Sequence, residues 1–128
     1  MQNENKKTIL VVEDEEDVID YLVTFFEDND YNVITANDST LGFQSAKDFQ
    51  PDLISLDLSM PGESGLQLYR NLIDTKSTQS IPVLVITGFS NEFKSFFDKL
   101  ESSESPIGYF EKPIDRDALL RKLKETIG

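Results

Sequence analysis

The 128-residue chain carries 24 acidic against 12 basic side chains, a formal charge of −12, and neither cysteine nor histidine. Disulfide frameworks, thiolate metal sites and any chemistry that needs an imidazole are therefore excluded. The charge disfavours nucleic-acid backbones and anionic membrane surfaces as direct partners, and a hydrophobic share of 38% supplies one core rather than two.

The chain opens on MQNENKK, residues 1–7, a polar tail with no apolar signal core behind it. No apolar run approaches the roughly 20 residues of a membrane-spanning helix. A single cytoplasmic domain over 1–128 is the expectation. The first strand is predicted at TILVV (8–12), followed by a helix marked by Val18, Leu22 and Phe25 at helical spacing. YNVITA (31–36) reads as the second strand. The helix after it, 38–48, is framed by Leu41 and Phe49 and weakened by Gly42. DLISLD (52–57) gives the third strand, and Leu66, Tyr69 and Leu72 mark the third helix. IPVLVIT (81–87) is the fourth strand, after which Phe89, Phe93, Phe96 and Leu100 form one helical stripe best read as core. IGYF (107–110) is the fifth strand, and Leu119, Leu123 and Ile127 mark the closing helix. Strand and helix thus alternate five times. Continuous apolar strands such as TILVV and VLVI imply a parallel sheet covered on both faces, a doubly wound α/β fold.

Charged and hydroxyl residues gather where these strands end. Glu13 and Asp14 follow the first strand, Asp57 closes the third, Thr87 and Gly88 close the fourth, and Lys112-Pro113 follow the fifth. In an open parallel sheet the carboxyl ends lie along one edge, where ligands bind. Three carboxylates held together repel one another unless a cation compensates. Oxygen ligands of this kind suit Mg²⁺. A carboxylate also attacks phosphorus to form an acyl phosphate, a transfer that needs in-line positioning and charge neutralisation and little else. Asp57, alone at its strand end, is the expected nucleophile; Glu13 and Asp14 form the metal clamp, with Lys112 and Thr87 meeting the phosphoryl oxygens.

The pieces VVEDEE (11–16), PDLISLDLSMPGESG (51–65), VITG (85–88) and GYFEKP (108–113), in this order and at these strand ends, resemble the receiver domains of two-component response regulators. The resemblance runs from Ile9 to Ile127. It implies a flavodoxin-like five-stranded parallel sheet of order 2-1-3-4-5 with five surrounding helices, the order for which a chemotaxis receiver is a standard example. It also implies that Asp57 accepts a phosphoryl group from a histidine kinase or histidine phosphotransfer protein, with Mg²⁺ held by Asp14, Asp57 and the Ser59 backbone carbonyl and by Glu13 through water. Thr87 and Tyr109 would be the switch pair, Lys112-Pro113 a cis bond, and Ser59, Gly88 and Phe89 would flank the site. Two departures stand out: Gly88 replaces the usual alanine, and a polar, longer LESSESPIG (100–108) precedes Tyr109.

The resemblance further implies a monomer or a phosphorylation-dependent dimer that presents helix 4, strand 5 and helix 5 to a downstream protein, without turnover of an external substrate. Rival readings fit less well. An aspartate-dependent phosphatase needs a second aspartate two residues after the nucleophile, and that position is Ser59. A flavodoxin-like cofactor binder needs a phosphate-cradling turn after the first strand, where this chain has EDEEDV. A degenerate receiver that only binds partners would not need all of Glu13, Asp14, Asp57, Thr87 and Lys112.

Overall fold

The computed structural model describes residues 5–88, 91–101 and 104–128. Among these, five strands alternate with five α-helices: β1 (Thr8–Val12), α1 (Glu16–Asp28), β2 (Asn32–Ala36), α2 (Ser39–Phe49), β3 (Leu53–Leu56), α3 (Ser64–Asp74), β4 (Val83–Thr87), α4 (Asn91–Asp98), β5 (Gly108–Glu111) and α5 (Arg116–Ile127). A 3₁₀ turn, Pro61–Glu63, leads into α3. The strands are parallel and lie in the order β2-β1-β3-β4-β5, so the flavodoxin-like doubly wound sheet read from the sequence is the fold of the protein. Among the described residues no helix is long and apolar enough to cross a membrane.

The alternation of side chains along each strand builds two cores at once. Leu10 and Val12 of β1, Ile54 and Leu56 of β3, and Val83 and Val85 of β4 enter one cluster with Leu68, Tyr69 and Leu72 of α3. Their neighbours Ile9, Val11, Leu53, Leu84 and Ile86 enter the opposite cluster with Leu22 and Phe26 of α1 and Leu119 and Leu123 of α5. Both faces of the sheet are therefore dry, which is why the central strands carry no polar alternation. Two helices start on aspartate caps: Asp38 accepts from the Leu41 N–H at 2.7 Å and Asp115 from the Ala118 N–H at 3.1 Å.

Differences from the sequence expectation have local causes. Most flanking residues predicted as strand beyond these bounds, such as Tyr31, Asp52, Pro82 and Ile107, lie just before a strand rather than in it. β3 ends at Leu56, and Asp57 is the first residue past it, still tied to the sheet by its N–H donating to the Val12 carbonyl at 3.0 Å. On α2, Leu41 and Phe49 do not frame the buried face; they are 46% and 62% exposed, while Gly42, Ser45 and Ala46 are buried. The helix sits so close to the sheet that a Cβ at Gly42 would lie 3.1 Å from both Val12 methyls and from Leu68 Cδ2. Gly42 is thus a point of close approach rather than a weak spot. Of the aromatic stripe, Phe96 and Leu100 pack against the α3-side core as expected, joined by Phe97; Phe89 and the side chain of Phe93 lie outside the described residues.

Gly65 shows the same principle more severely, since a Cβ there would fall 2.6 Å from Leu58 Cα and 2.8 Å from the Asp57 carbonyl oxygen. Backbone atoms cannot rotate aside. Gly65→Ala is expected to cost about 3 kcal/mol, the upper end of overpacking penalties. Gly42→Ala should cost far less, because it crowds only rotatable methyls and recovers up to about 1 kcal/mol of helix propensity. Urea denaturation of both variants checks this ordering; equal midpoints would contradict the close approach of α3 to the β3 exit.

Candidate functional site

Each residue of the site is delivered by a strand terminus. The Glu13 N–H donates to the Ala36 carbonyl at 3.1 Å, which keeps the β1 exit in line with the sheet edge and turns the side chain inward, 1% exposed. Asp14, next along, is exposed. Asp57 is 2% exposed and Thr87, the last residue of β4, is fully buried. The Lys112 N–H donates to the Thr87 carbonyl at 2.9 Å, so the β5 exit is held against β4 and the lysine side chain reaches back across β3 to β1. The Lys112-Pro113 bond is cis.

The polar atoms converge. Lys112 Nζ donates to Glu13 Oε1 at 3.1 Å and stands 3.6 Å from Asp57 Oδ2. Asp57 Oδ1 accepts the Ser59 N–H at 2.9 Å, and Glu13 Oε2 accepts the Glu15 N–H at 3.3 Å. The hydroxyls of Ser59 and Thr87 share a hydrogen bond of 2.5 Å. Among the described residues a Cβ at Gly88 would meet only Ser59 Oγ, at 3.9 Å, an ordinary contact that leaves room for an alanine. Glu13, Asp14, Asp57, Ser59, Thr87 and Lys112 therefore form one site. Tyr109 stands aside from it: its partly buried ring packs on the α3-side core with its edge against Phe97, centroids 5.8 Å apart. Phe89 lies outside the described residues.

Sequence reasoning passed over three contributions. The Glu15 N–H holds Glu13, a backbone role that no side-chain motif announces. Phe97 packs between Tyr109 and Tyr69, its centroid 5.8 Å from the one ring and 5.1 Å from the other, and the Tyr69 hydroxyl donates to the Glu104 carbonyl at 2.5 Å. The helical spacing of Tyr69 marked it as core but not as a hydrogen-bond donor to the segment before β5.

Electrostatics follow from three carboxylates facing one ammonium. Burial, then hydrogen bonding to Asp57 and its charge, push Glu13 up to about 7, against the opposing pull of the Glu15 N–H and Lys112. For Lys112, burial pulls downward, but the charge of Asp57 and the hydrogen bond and charge of Glu13 outweigh it and hold the ammonium above its ordinary value. One carboxylate oxygen of each of Glu13, Asp14 and Asp57 lies within 4.8 Å of the others. Asp57 Oδ2 is buried with no hydrogen-bond partner among the described residues. Such an orphaned acceptor costs free energy. A hard divalent cation bound by oxygen would satisfy it, so the residues present fit one.

The family described as response regulator receiver domain matches residues 9–124. The chain belongs to this family. Protein PilH of Pseudomonas aeruginosa is 28% identical over 119 residues, covering 93% of this chain and 96% of PilH. Response regulator ArlR of Staphylococcus aureus is 32% identical over 120 residues, and the chain spans 52% of that relative's length. Among solved structures, a sensor protein from Polaromonas sp. JS666 superposes with a TM-score of 0.84 at 21% identity, covering 94% of this chain and 95% of that one. Chemotaxis protein CheY4 of Vibrio cholerae gives 0.81 at 23% identity, covering 95% and 99%. These two share the fold. Receiver domains are signalling modules of two-component systems, and the acidic pocket of Glu13, Asp14 and Asp57 fits the phosphoacceptor site of such a domain.

The raised Glu13 carries a stability signature. Between 4.5 and about 7 it is protonated in the folded protein and ionised in the unfolded chain, so its contribution to stability is complete below 4.5 and lost as pH rises through 7. With divalent cations chelated, the parent should lose stability relative to Glu13→Gln on the order of 2 kcal/mol across that window. Chemical denaturation at a series of pH values measures it; a difference that stays flat would show that Glu13 is not held in a crowded carboxylate site.

Proposed function

We propose that the chain accepts a phosphoryl group on Asp57 from a phosphohistidine of a partner kinase or phosphotransfer protein, and that this modification changes the surface formed by α4, β5 and α5. The observation that carries the reading is the Asp57 carboxylate itself: buried, one oxygen held by the Ser59 N–H, the other without a hydrogen bond among the described residues and ion-paired with Lys112 at 3.6 Å. A nucleophile needs a free lone pair in a fixed position, and Asp57 has both. As a carboxylate oxygen bonds to phosphorus, the phosphorus–nitrogen bond to the partner's histidine breaks and its electron pair returns to the imidazole. Lys112, already charged and bound to Glu13, is placed to meet the incoming phosphoryl oxygens. Glu13, Asp14, Asp57 and the Ser59 carbonyl would hold Mg²⁺. When bound, that ion supplies positive charge to the transferring group.

The switch follows from the Ser59–Thr87 hydrogen bond. Thr87 shares a hydrogen bond with Ser59 Oγ in which either hydroxyl can be the donor, so turning the Thr87 hydroxyl toward a phosphoryl oxygen would rearrange this pair and draw on the end of β4. Tyr109 pairs in register with Val85, two residues before Thr87, and its ring shares the space beside Phe97. Displacement of Thr87 would open room for the ring to move further inward and carry α4 with it. This is a two-state equilibrium that the phosphoryl group biases. Hydrolytic turnover is not favoured, since position 59 offers a hydroxyl bound to Thr87 and no carboxylic acid.

Incubation with Mg²⁺ and acetyl phosphate is expected to add one phosphoryl group per chain, detectable by intact mass, and Asp57→Ala to remove the addition. Equal labelling of the variant would place the acceptor elsewhere.

A further inference from the structure

A second surface differs in chemistry from the rest of the molecule. Between α2 and α3, with α4 at one side, runs a cleft of about 730 Å³. Phe43, Leu66 and Phe96, each partly buried against the α3-side core, line it with apolar surface. Lys47 and Arg70 stand exposed at its margins, Lys47 Nζ lying 4.4 Å from the Phe43 ring centroid and Arg70 Cζ 5.3 Å from that of Phe96. Neither forms an ion pair with a described residue. None of the described residues lining the cleft is acidic, in a chain of 24 acids and net charge −12. The nearby Asp48 has its carboxylate engaged by the Gln44 amide at 2.9 Å.

We propose that this cleft is a docking groove for an acidic amphipathic helix of a partner protein. Two helices on one sheet face leave a groove into which the ridge of a third can settle. Apolar residues of the incoming helix would rest on Phe43, Leu66 and Phe96, and carboxylates beside them would meet Lys47 and Arg70. The aromatic rings hold both cations in place before the partner arrives, which lowers the ordering cost of pairing them. Charge complementarity selects this occupant. A basic helix would face two unpaired cations. Nucleic acid would bring a continuous line of charge against a chain of the same sign and would have no use for the apolar surface. A second intact copy offers no matching stripe from its acidic α1, because Leu22 and Phe26 are buried in its own core. The inference does not rest on phosphate transfer to Asp57.

The test uses fluorescence anisotropy with synthetic peptides of about four helical turns. One carries leucines at helical spacing flanked by glutamates, one has lysines in place of the glutamates, and one is an acidic scramble without the apolar stripe. The first is expected to bind more tightly than either other peptide. The Lys47→Glu/Arg70→Glu variant should weaken it by about tenfold or more, since attraction becomes repulsion at two points, while Arg116→Glu/Arg121→Glu on α5 should leave it unchanged. Circular dichroism melting confirms that both variants are folded, as exposed side chains should permit. Equal binding of the lysine peptide or the scramble, or equal loss in the α5 variant, would overturn the proposal. So would sedimentation equilibrium showing a dimer of the parent that the Lys47/Arg70 variant abolishes, since the groove would then be covered by a second copy.

Discussion

Three carboxylates and one ammonium share the carboxyl edge of the sheet, and most of what is distinctive in this molecule follows from that imbalance. Lys112 reaches Glu13 across 99 residues of sequence and thereby links the exits of β1 and β5 over that of β3. Such a bridge is not a large source of stability, because desolvating two charges consumes much of the attraction between them. Its effect is to fix positions. Glu13 is held by Lys112 and the Glu15 N–H, Asp57 by the Ser59 N–H, and one Asp57 oxygen is left over. The fold tolerates an orphaned acceptor there because the surrounding strands, dry on both faces, give it nowhere to turn. A site left short of positive charge suits a cation, and under the proposed function that cation would prepare the edge for a phosphoryl group.

The same edge is coupled to the helices by packing. Thr87 ends β4, and its hydroxyl is bound to Ser59. Two residues earlier in register, Tyr109 leans on Phe97, which meets Phe96 and Tyr69 edge to face at 5.1 Å each. Tyr69 then donates to the Glu104 carbonyl in the segment that leads into β5. Packed aromatic side chains do not deform continuously. A displacement at Thr87 that reached Tyr109 would therefore be felt at α4 and at the approach to β5. The groove between α2 and α3 borders the same α4 through Phe96.

The sheet was legible in the sequence because a parallel strand buried on both faces reads as a nearly continuous apolar run, and TILVV, LISL and VLVIT are such runs, broken only by small hydroxyl residues. Candidate site residues were legible for a related reason: a charge that directly follows such a run has little structural excuse, and Glu13 and Asp57 each do so, while Lys112 follows the fifth strand after Glu111. What stayed hidden depended on contacts between distant elements. Gly42 looked like a defect in a helix until Val12 and Leu68 were seen against it. Leu41 and Phe49 frame the same helix in the sequence, yet hydrophobicity alone does not say which side of a short helix meets the sheet when glycine and alanine form the closer contact. The Ser59–Thr87 bond spans 28 residues between two ordinary hydroxyls, and nothing in either neighbourhood announces the other.

The central claim is that the acidic edge is a receptor for a cation and then for a phosphoryl group, with Tyr109 responding. Heteronuclear NMR during titration with Mg²⁺, followed by beryllofluoride, tests it most directly. The account predicts that Mg²⁺ shifts the amides of residues 13–15 and 57–59, and that beryllofluoride extends the shifts to Thr87, Lys112 and Tyr109. Mg²⁺ shifts scattered over the exposed acids of α1, with Asp57 and Ser59 unmoved and Tyr109 silent to beryllofluoride, would contradict it.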